Sequence, residues 1–348
     1  MEEKIHRTRN ITHPNGEKFE TPLLVPSFSS KGFSLVQTKD SVISEIASVM
    51  AVAKEFLDES LLVSAYDIYH KLIPTPAEFK STPITIVDSG GYETSQIYDL
   101  SGINKYNHEV REWDEEKFKS VLNEWPSEMS AIMVSYDHGN IRVTINEQVD
   151  HARKLFYDHK NMMSNFLIKP EKQKQKLIQL PEILARPEIL HGFDIIGVTE
   201  KEIGSSQLDR MINIALLRIA LDKTGNSAPI HVFGSLDPLN VILYFLAGAE
   251  IFDGLTWLKF AYHNSAAIYI QNYSILSPKY GIETNDTAMK RNFWVDNITF
   301  LIKLKHVLMN FTTEPNYELF KELDNDSYNL SERIEKIHVQ FLNKLKSK

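Results

Sequence analysis

A (β/α)8 barrel, the TIM-barrel form of an α/β fold, is the class predicted for this chain, and three observations predict it. Eight short runs are dense in Val, Ile, Leu, Phe and Tyr, most of these runs are near-continuous rather than alternating, and helical patterns separate several of them. Near-continuous apolar runs mark parallel strands covered on both faces. Their alternation with helices builds a closed barrel or a doubly wound open sheet, and the count of eight favours the barrel.

The runs are LLVSAYDIY from Leu61, PITIVDS from Pro83, AIMVSYD from Ala131, NFLIKP from Asn165, FDIIGVT from Phe193, PIHVFGS from Pro229, AEIFDG from Ala249 and AAIYIQNY from Ala266. Between them, SSQLDRMINIALLRIALDK places Leu208, Ile212, Ala215 and Ile219 on one helical face behind the capping candidates Ser205 and Ser206. The helix after Gly234 has Asp237 to cap it, Pro238 in its first position and Gly248 to end it. Residues 1–60, with TPLLVPSFSSKGF and a helical stretch near SVISEIASVMAVAKEFLD, read as an N-terminal cap on a barrel spanning 61–311. After Tyr280 the pattern turns helical. Trp294, Ile298, Leu301 and Leu308 share one face of a closing helix, and Ile334, Ile337, Phe341 and Leu345 share a face of a C-terminal helical tail over 312–348.

Composition narrows the function. With 348 residues, 43% hydrophobic and 24% charged, the chain can bury a large core. The absence of cysteine excludes a disulfide scaffold and a thiolate-bound zinc, and it fits a reducing, cytoplasmic setting. The start MEEKIHRTRN lacks the apolar region of a signal peptide, and the best apolar stretch, VILYFLAGAEIF, falls short of the roughly 20 residues of a spanning helix. No membrane partner is therefore expected. A net charge of −8 means that any polyanion must be held by a local patch. The segment KPEKQKQK from Lys169 reads either as a solvated loop or as such a patch.

Three aspartates close three different runs: Asp88 in IVDSGG, Asp137 in VSYDHG and Asp253 in IFDG. The C-terminal strand end of a barrel is its active-site rim. One such Asp is as readily a turn former, but three in equivalent places point to an acidic site. Two carboxyls there can divide labour, one attacking a sugar carbon and the other, with its pKa raised by burial, moving a proton. Divalent-metal hydrolysis is the rival chemistry open to the same residues. In SGGY, Gly90 and Gly91 admit close backbone approach to a flat ligand and Tyr92 offers a ring for stacking.

The run DSGGYE is similar to the DSGG[FY]Q signature of the tRNA-guanine transglycosylase superfamily, which exchanges guanine in nucleic acid for a 7-deazaguanine base. TPLLVPSFSSKG, YDHG and HVFGSLDPLNVILYFLAGAEIFDGLTW resemble that family in the same order, so the resemblance spans about Thr21 to Trp257. It implies Asp253 as the nucleophile that forms a covalent glycosyl enzyme and Asp88 as the general acid/base. It further implies Asp137 as the reader of the base, helped by Ser89 and the backbone of Gly197 and Val198, with Tyr92 stacked on one face. Phe233, before Gly234, stands where the family has a Met that covers the other face. Plain core packing explains Phe233 as well.

The chain departs from the family's tRNA enzymes in lacking their zinc site of three Cys and one His. After Asp253 only His263, His306 and His338 offer nitrogen, at spacings unlike a metal site. Lys169 stands where the family has a base-reading Gln, GVTEKEIG replaces a GGLAVGE-like loop, and WLKFAYHNS replaces a TRNARNG-like motif. In these respects the chain resembles the divergent DpdA-type branch that inserts 7-deazaguanines into DNA. The expectation is a zinc-free transglycosylase acting on DNA without any cofactor, with a 7-deazaguanine such as 7-cyano-7-deazaguanine as its other substrate. Lys169, Lys172, Lys174, Lys176, Lys259, Lys290 and Arg291 are candidates to hold the backbone. A tRNA substrate, or a noncatalytic subunit paired with an active homologue, are the alternatives. Accessory ATPase or helicase-like proteins and a homodimer complete the candidate partners.

Overall fold

The computed structural model describes residues 5–37, 42–95, 110–137, 141–277, 279–324 and 328–348. His138 and Gly139 of the YDHG run lie outside them. Eight parallel strands close into a barrel in chain order: β1 (Leu23–Phe28), β2 (Ser60–Ser64), β3 (Ile84–Asp88), β4 (Ser130–Val134), β5 (Met163–Ile168), β6 (Ile195–Thr199), β7 (Ile230–Phe233) and β8 (Ile251–Gly254). Closure is made by β8 against β1, with Asp253 opposite Val25. An open doubly wound sheet is thereby excluded.

Two strand assignments are corrected. The segment 1–60 is not all cap, because Leu23–Phe28 is the first barrel strand, buried along its whole length. The run from Ala266 is not a barrel strand: Ala266–Ile268 pairs antiparallel with Ala261–His263, and a helix, Ile270–Leu276, follows at once. Pro26 explains why β1 was hard to read, since proline removes a ladder donor. Here Leu23–Pro26 pair with β8 and only Ser27–Phe28 pair with β2, so Pro26 sits where the ladder passes from one neighbour to the other.

Side chains alternate across each strand. Leu23, Val25, Leu62, Ile84, Ile86, Ile132, Val134, Met163, Leu167, Ile195, Phe233 and Ile251 fill the barrel interior. Continuing the same alternation turns Ser27, Asp88, Asn165, Gly197, His231 and Asp253 inward at or near the C-terminal rim. At the opposite mouth a hairpin of Asn10–Thr12 and Lys18–Glu20 inserts Ile11 and Phe19 into that interior cluster. His13 Nε2 anchors the hairpin by accepting from the Ala131 N–H at 3.2 Å.

The helices form around this core as their capping residues dictate. In α1 (Gln207–Lys223) the Ser206 hydroxyl accepts from Asp209 N–H at 3.1 Å. In α2 (Pro238–Leu246) Asp237 Oδ1 accepts from Leu239 and Asn240 N–H at 3.1 and 3.2 Å, and Gly248 leaves with φ +101°. The 28-residue α3 (Asp286–Thr313) buries Ile298, Leu301 and Leu308. In α4 (Leu330–Lys346) the buried face carries Ile334, His338 and Phe341, whereas Ile337 is exposed. His338 is accommodated there because its Nδ1 lies 2.8 Å from the Tyr317 hydroxyl. Among the described residues, no helix is long and apolar enough to cross a membrane.

Candidate active site

The rim brings the three aspartates into one electrostatic neighbourhood. Asp88 ends β3, and its Oδ2 accepts from the Gly90 N–H at 3.1 Å. That return of the chain requires glycine: Gly90 has φ +84°, and a Cβ there would stand 2.8 Å from both Trp113 Nε1 and Tyr66 Cβ. Burial pushes the Asp88 carboxyl up to about 7, and the negative charges of Glu93, Asp253 and Asp137 add to the rise. Asp88 is thus suited to carry a proton at neutral pH.

Asp253, on β8, is held differently. Its Oδ2 accepts from the Ser27 hydroxyl at 2.7 Å, and its Oδ1 accepts from the Gly234 N–H at 3.2 Å and lies 3.1 Å from His231 Nε2. Three hydrogen-bonding groups drawn from β1, β7 and the turn after β7 hold one buried carboxyl, so its orientation is over-determined. Its burial leaves hydrogen bonds, not water, to satisfy the charge.

Asp137 follows β4 and belongs to a cluster of four charges. Arg142 donates to its Oδ1 at 2.9 Å, and Lys169 Nζ lies 3.4 Å from its Oδ2. Glu202 joins the cluster at 2.8 Å from Lys169 Nζ and 4.0 Å from Arg142. Asp137 N–H donates to the Ser89 hydroxyl at 3.3 Å, and a Cβ on Gly91 would lie 3.1 Å from Asp137 Oδ2. A cavity of about 250 Å³ opens beside this cluster against Tyr136, Asp137, Arg142, His151 and Lys169. A larger one, about 390 Å³, lies at the N-terminal end of the barrel against Leu24, Ser60, Ile298 and Lys305, and none of the three aspartates lines it.

The remaining sequence candidates separate. Lys31 Nζ sits 4.5 Å over the Tyr92 ring and donates to the backbone carbonyls of Tyr92 and Ser95, each at 2.6 Å. Phe233 stacks on His231 with 3.8 Å between ring centres, so core packing and a place beside the His231–Asp253 pair are the same position. Gly197 and Val198 lie within β6, paired on both sides, with Gly197 facing the interior and Val198 packed against the helices. Lys169 is a mostly buried ion-pair partner of Asp137 and Glu202, whereas Lys172, Lys174 and Lys176 are exposed on the loop beyond β5. Lys259 Nζ reaches the loop after β1, 3.8 Å from where a Gly32 Cβ would stand, while Lys290 and Arg291 lie in the first turns of α3.

Several rim residues were not singled out by the sequence. Glu93 is buried, accepting from the hydroxyls of Ser29 and, at 2.7 Å, Ser64. Asp67 is buried beside it, with Oδ2 accepting from Ser30 N–H at 2.7 Å and Oδ1 from Ser30 Oγ at 2.5 Å. Its carboxyl is pushed well up by burial and by the Glu93 charge. The one signal that could have found Glu93 is its place three residues after Gly90. His231, Asn165 and Ser27 had period-2 alternation as their signal, two residues in front of rim positions. Among the described residues, no group of three His, Asp or Glu side chains is arranged to hold a metal ion.

No family model matches the chain, and no curated protein matches it.

Proposed function

We propose that this chain is a base-exchanging transglycosylase that replaces guanine in a polynucleotide, DNA first among the candidates, with a 7-deazaguanine. What carries the reading is the meeting on one rim of a carboxyl raised to about 7, Asp88, with a carboxyl held by the Ser27 hydroxyl, the Gly234 N–H and the His231 ring, Asp253. The first can give a proton and the second can attack, which is the division of labour of retaining glycosyl transfer.

In the first half-reaction an Asp253 oxygen bonds to the sugar anomeric carbon as the glycosidic bond to guanine breaks. The bonding pair leaves with guanine, which takes the Asp88 proton. In the second, the incoming 7-deazaguanine gives its ring proton to Asp88 and attacks the same carbon, releasing Asp253 as a carboxylate. Two inversions leave the sugar configuration unchanged. Asp137 supplies carboxylate acceptors for the base, and Arg142 and Lys169 fix their direction. Tyr92 and Phe233 supply the rings for its two faces.

The nucleic-acid side of the proposal rests on exposed Lys172, Lys174 and Lys176 and on the resemblance of DSGGYE to the transglycosylase signature. Coexpression with a 7-deazaguanine supply, followed by separate digestion of DNA and tRNA and mass spectrometry of the nucleosides, tests the substrate. Modified deoxynucleosides are expected. Modification confined to tRNA reassigns the polymer, and none in either, with a guanine-exchange assay also blank, leaves the noncatalytic subunit as the better account.

A further inference from the structure

Asn165 on β5, His231 on β7 and Asp253 on β8 form a buried file across the barrel interior. Asn165 Nδ2 stands 2.8 Å from His231 Nδ1, and His231 Nε2 stands 3.1 Å from Asp253 Oδ1. Asn165 and His231 are fully buried. They meet although β6 lies between their strands, and the reason is Gly197, which pairs with Leu167 on one side and His231 on the other. A Cβ at Gly197 would stand 2.6 Å from Phe233 Cε2 and 3.0 Å from Asn165 Oδ1. The missing side chain is the gap through which the amide reaches the imidazole.

The geometry points to His231 as a positioning residue for Asp253, locked by Asn165 as the neutral imidazole whose Nε2–H faces the carboxylate. An amide N–H on Nδ1 requires that nitrogen to be unprotonated, which leaves the ring proton on Nε2. Asn165 Oδ1 meanwhile has no hydrogen-bond partner among the described residues. The reverse amide orientation would put that oxygen on Nδ1 and require a proton there, which beside an ionised Asp253 makes an imidazolium. A neutral donor orients Asp253 without cancelling its charge. An imidazolium would stabilise the carboxylate in the ground state, and that stabilisation would be lost as the ester forms. Phe233 stacked on the ring keeps its plane directed at Asp253.

The consequence for catalysis rests on the transglycosylase reading, but the protonation pattern does not. Nitrogen-15 NMR of the histidine-labelled full-length chain at about pH 7.5, with the His231 signals identified by their loss in His231→Gln, reads the tautomer directly. A non-protonated Nδ1 with a protonated Nε2 is expected, and Asn165→Asp should convert the ring to a doubly protonated one. In covalent-adduct formation, His231→Gln retains a donor and should stay within about 10-fold of wild type, whereas His231→Leu should lose about 100-fold or more in rate. A doubly protonated His231 in the wild-type chain overturns the inference. So does a His231→Leu variant that forms adduct at the wild-type rate. If the wild-type chain itself forms no adduct with any guanine polymer, the transglycosylase reading fails while the NMR result still decides the tautomer.

Discussion

Asp88 and Asp253 are the same residue type on the same rim, and their surroundings give them different chemistry. Asp88 has one backbone donor and three carboxylates near it, so burial and Glu93 in particular raise it to about 7. A carboxyl raised in the folded state adds stability only while protonated: the contribution is full below its unfolded value near ~3.9 and is lost as pH rises through about 7. Asp88→Asn should therefore be more stable than wild type at pH 8, by roughly 1–3 kcal/mol, with the gap closing toward pH 4. Thermal melts across that range measure it, and an Asn variant less stable at pH 8 would contradict the buried-carboxyl account. Glu93→Gln removes the charge that most raises Asp88 after burial. The rate of guanine release, which should fall as pH rises through about 7, is then expected to fall at lower pH in the variant, while Asp253, Asp137 and the Gly90 N–H still face Asp88. An unmoved profile would assign the proton to another group. Of these residues the sequence displayed Asp88, Asp137 and Asp253, because strand-end position is visible locally. Glu93 and Asp67 stayed hidden because their buried state depends on the Ser29, Ser30 and Ser64 donors arriving from the loop after β1 and the end of β2.

At the level of elements, legibility followed how local the determinants are. α2 was readable because its cap, first-turn proline and terminal glycine all lie within twelve residues of one another. Replacing Asp237 by Ala should cost about 1 kcal/mol in urea unfolding, since two N–H groups lose their acceptor. By contrast, nothing within LLVPSF distinguishes a central strand from buried coil, and its proof is the pairing of Val25 with Asp253, more than two hundred residues away. The Ala266 run misled for the opposite reason. Its apolar content is real, but Ala266–Ile268 pairs with the adjacent Ala261–His263 and not with a barrel strand. The N-terminal hairpin shows that a segment too short to hold a core can complete one, through Ile11 and Phe19. Phe19→Ala is expected to destabilise by roughly 3–5 kcal/mol while sparing the rim chemistry of whatever fraction stays folded. A variant losing activity with unchanged stability would place Phe19 in the site instead.

For the whole molecule, closing the barrel in chain order sets inward residues from β1, β3, β5, β7 and β8 around one space, which an open sheet would spread along an edge. The fold class was legible because seven of the eight apolar runs are barrel strands, whereas the charge cluster of Asp137, Arg142, Lys169 and Glu202 was not, being assembled from three separate segments. The net charge of −8 confines any grip on a polyanion to local lysines, so binding should weaken steeply with salt while the step at Asp253 does not. The most direct measurement is mass spectrometry of the chain after incubation with a guanine-containing DNA oligonucleotide and quenching in acid, with the tryptic peptides mapped. The account predicts an oligonucleotide ester on Asp253 that is absent in Asp253→Asn and that disappears when a 7-deazaguanine is added before the quench. An ester on another residue, or base exchange undiminished in Asp253→Asn, would contradict it.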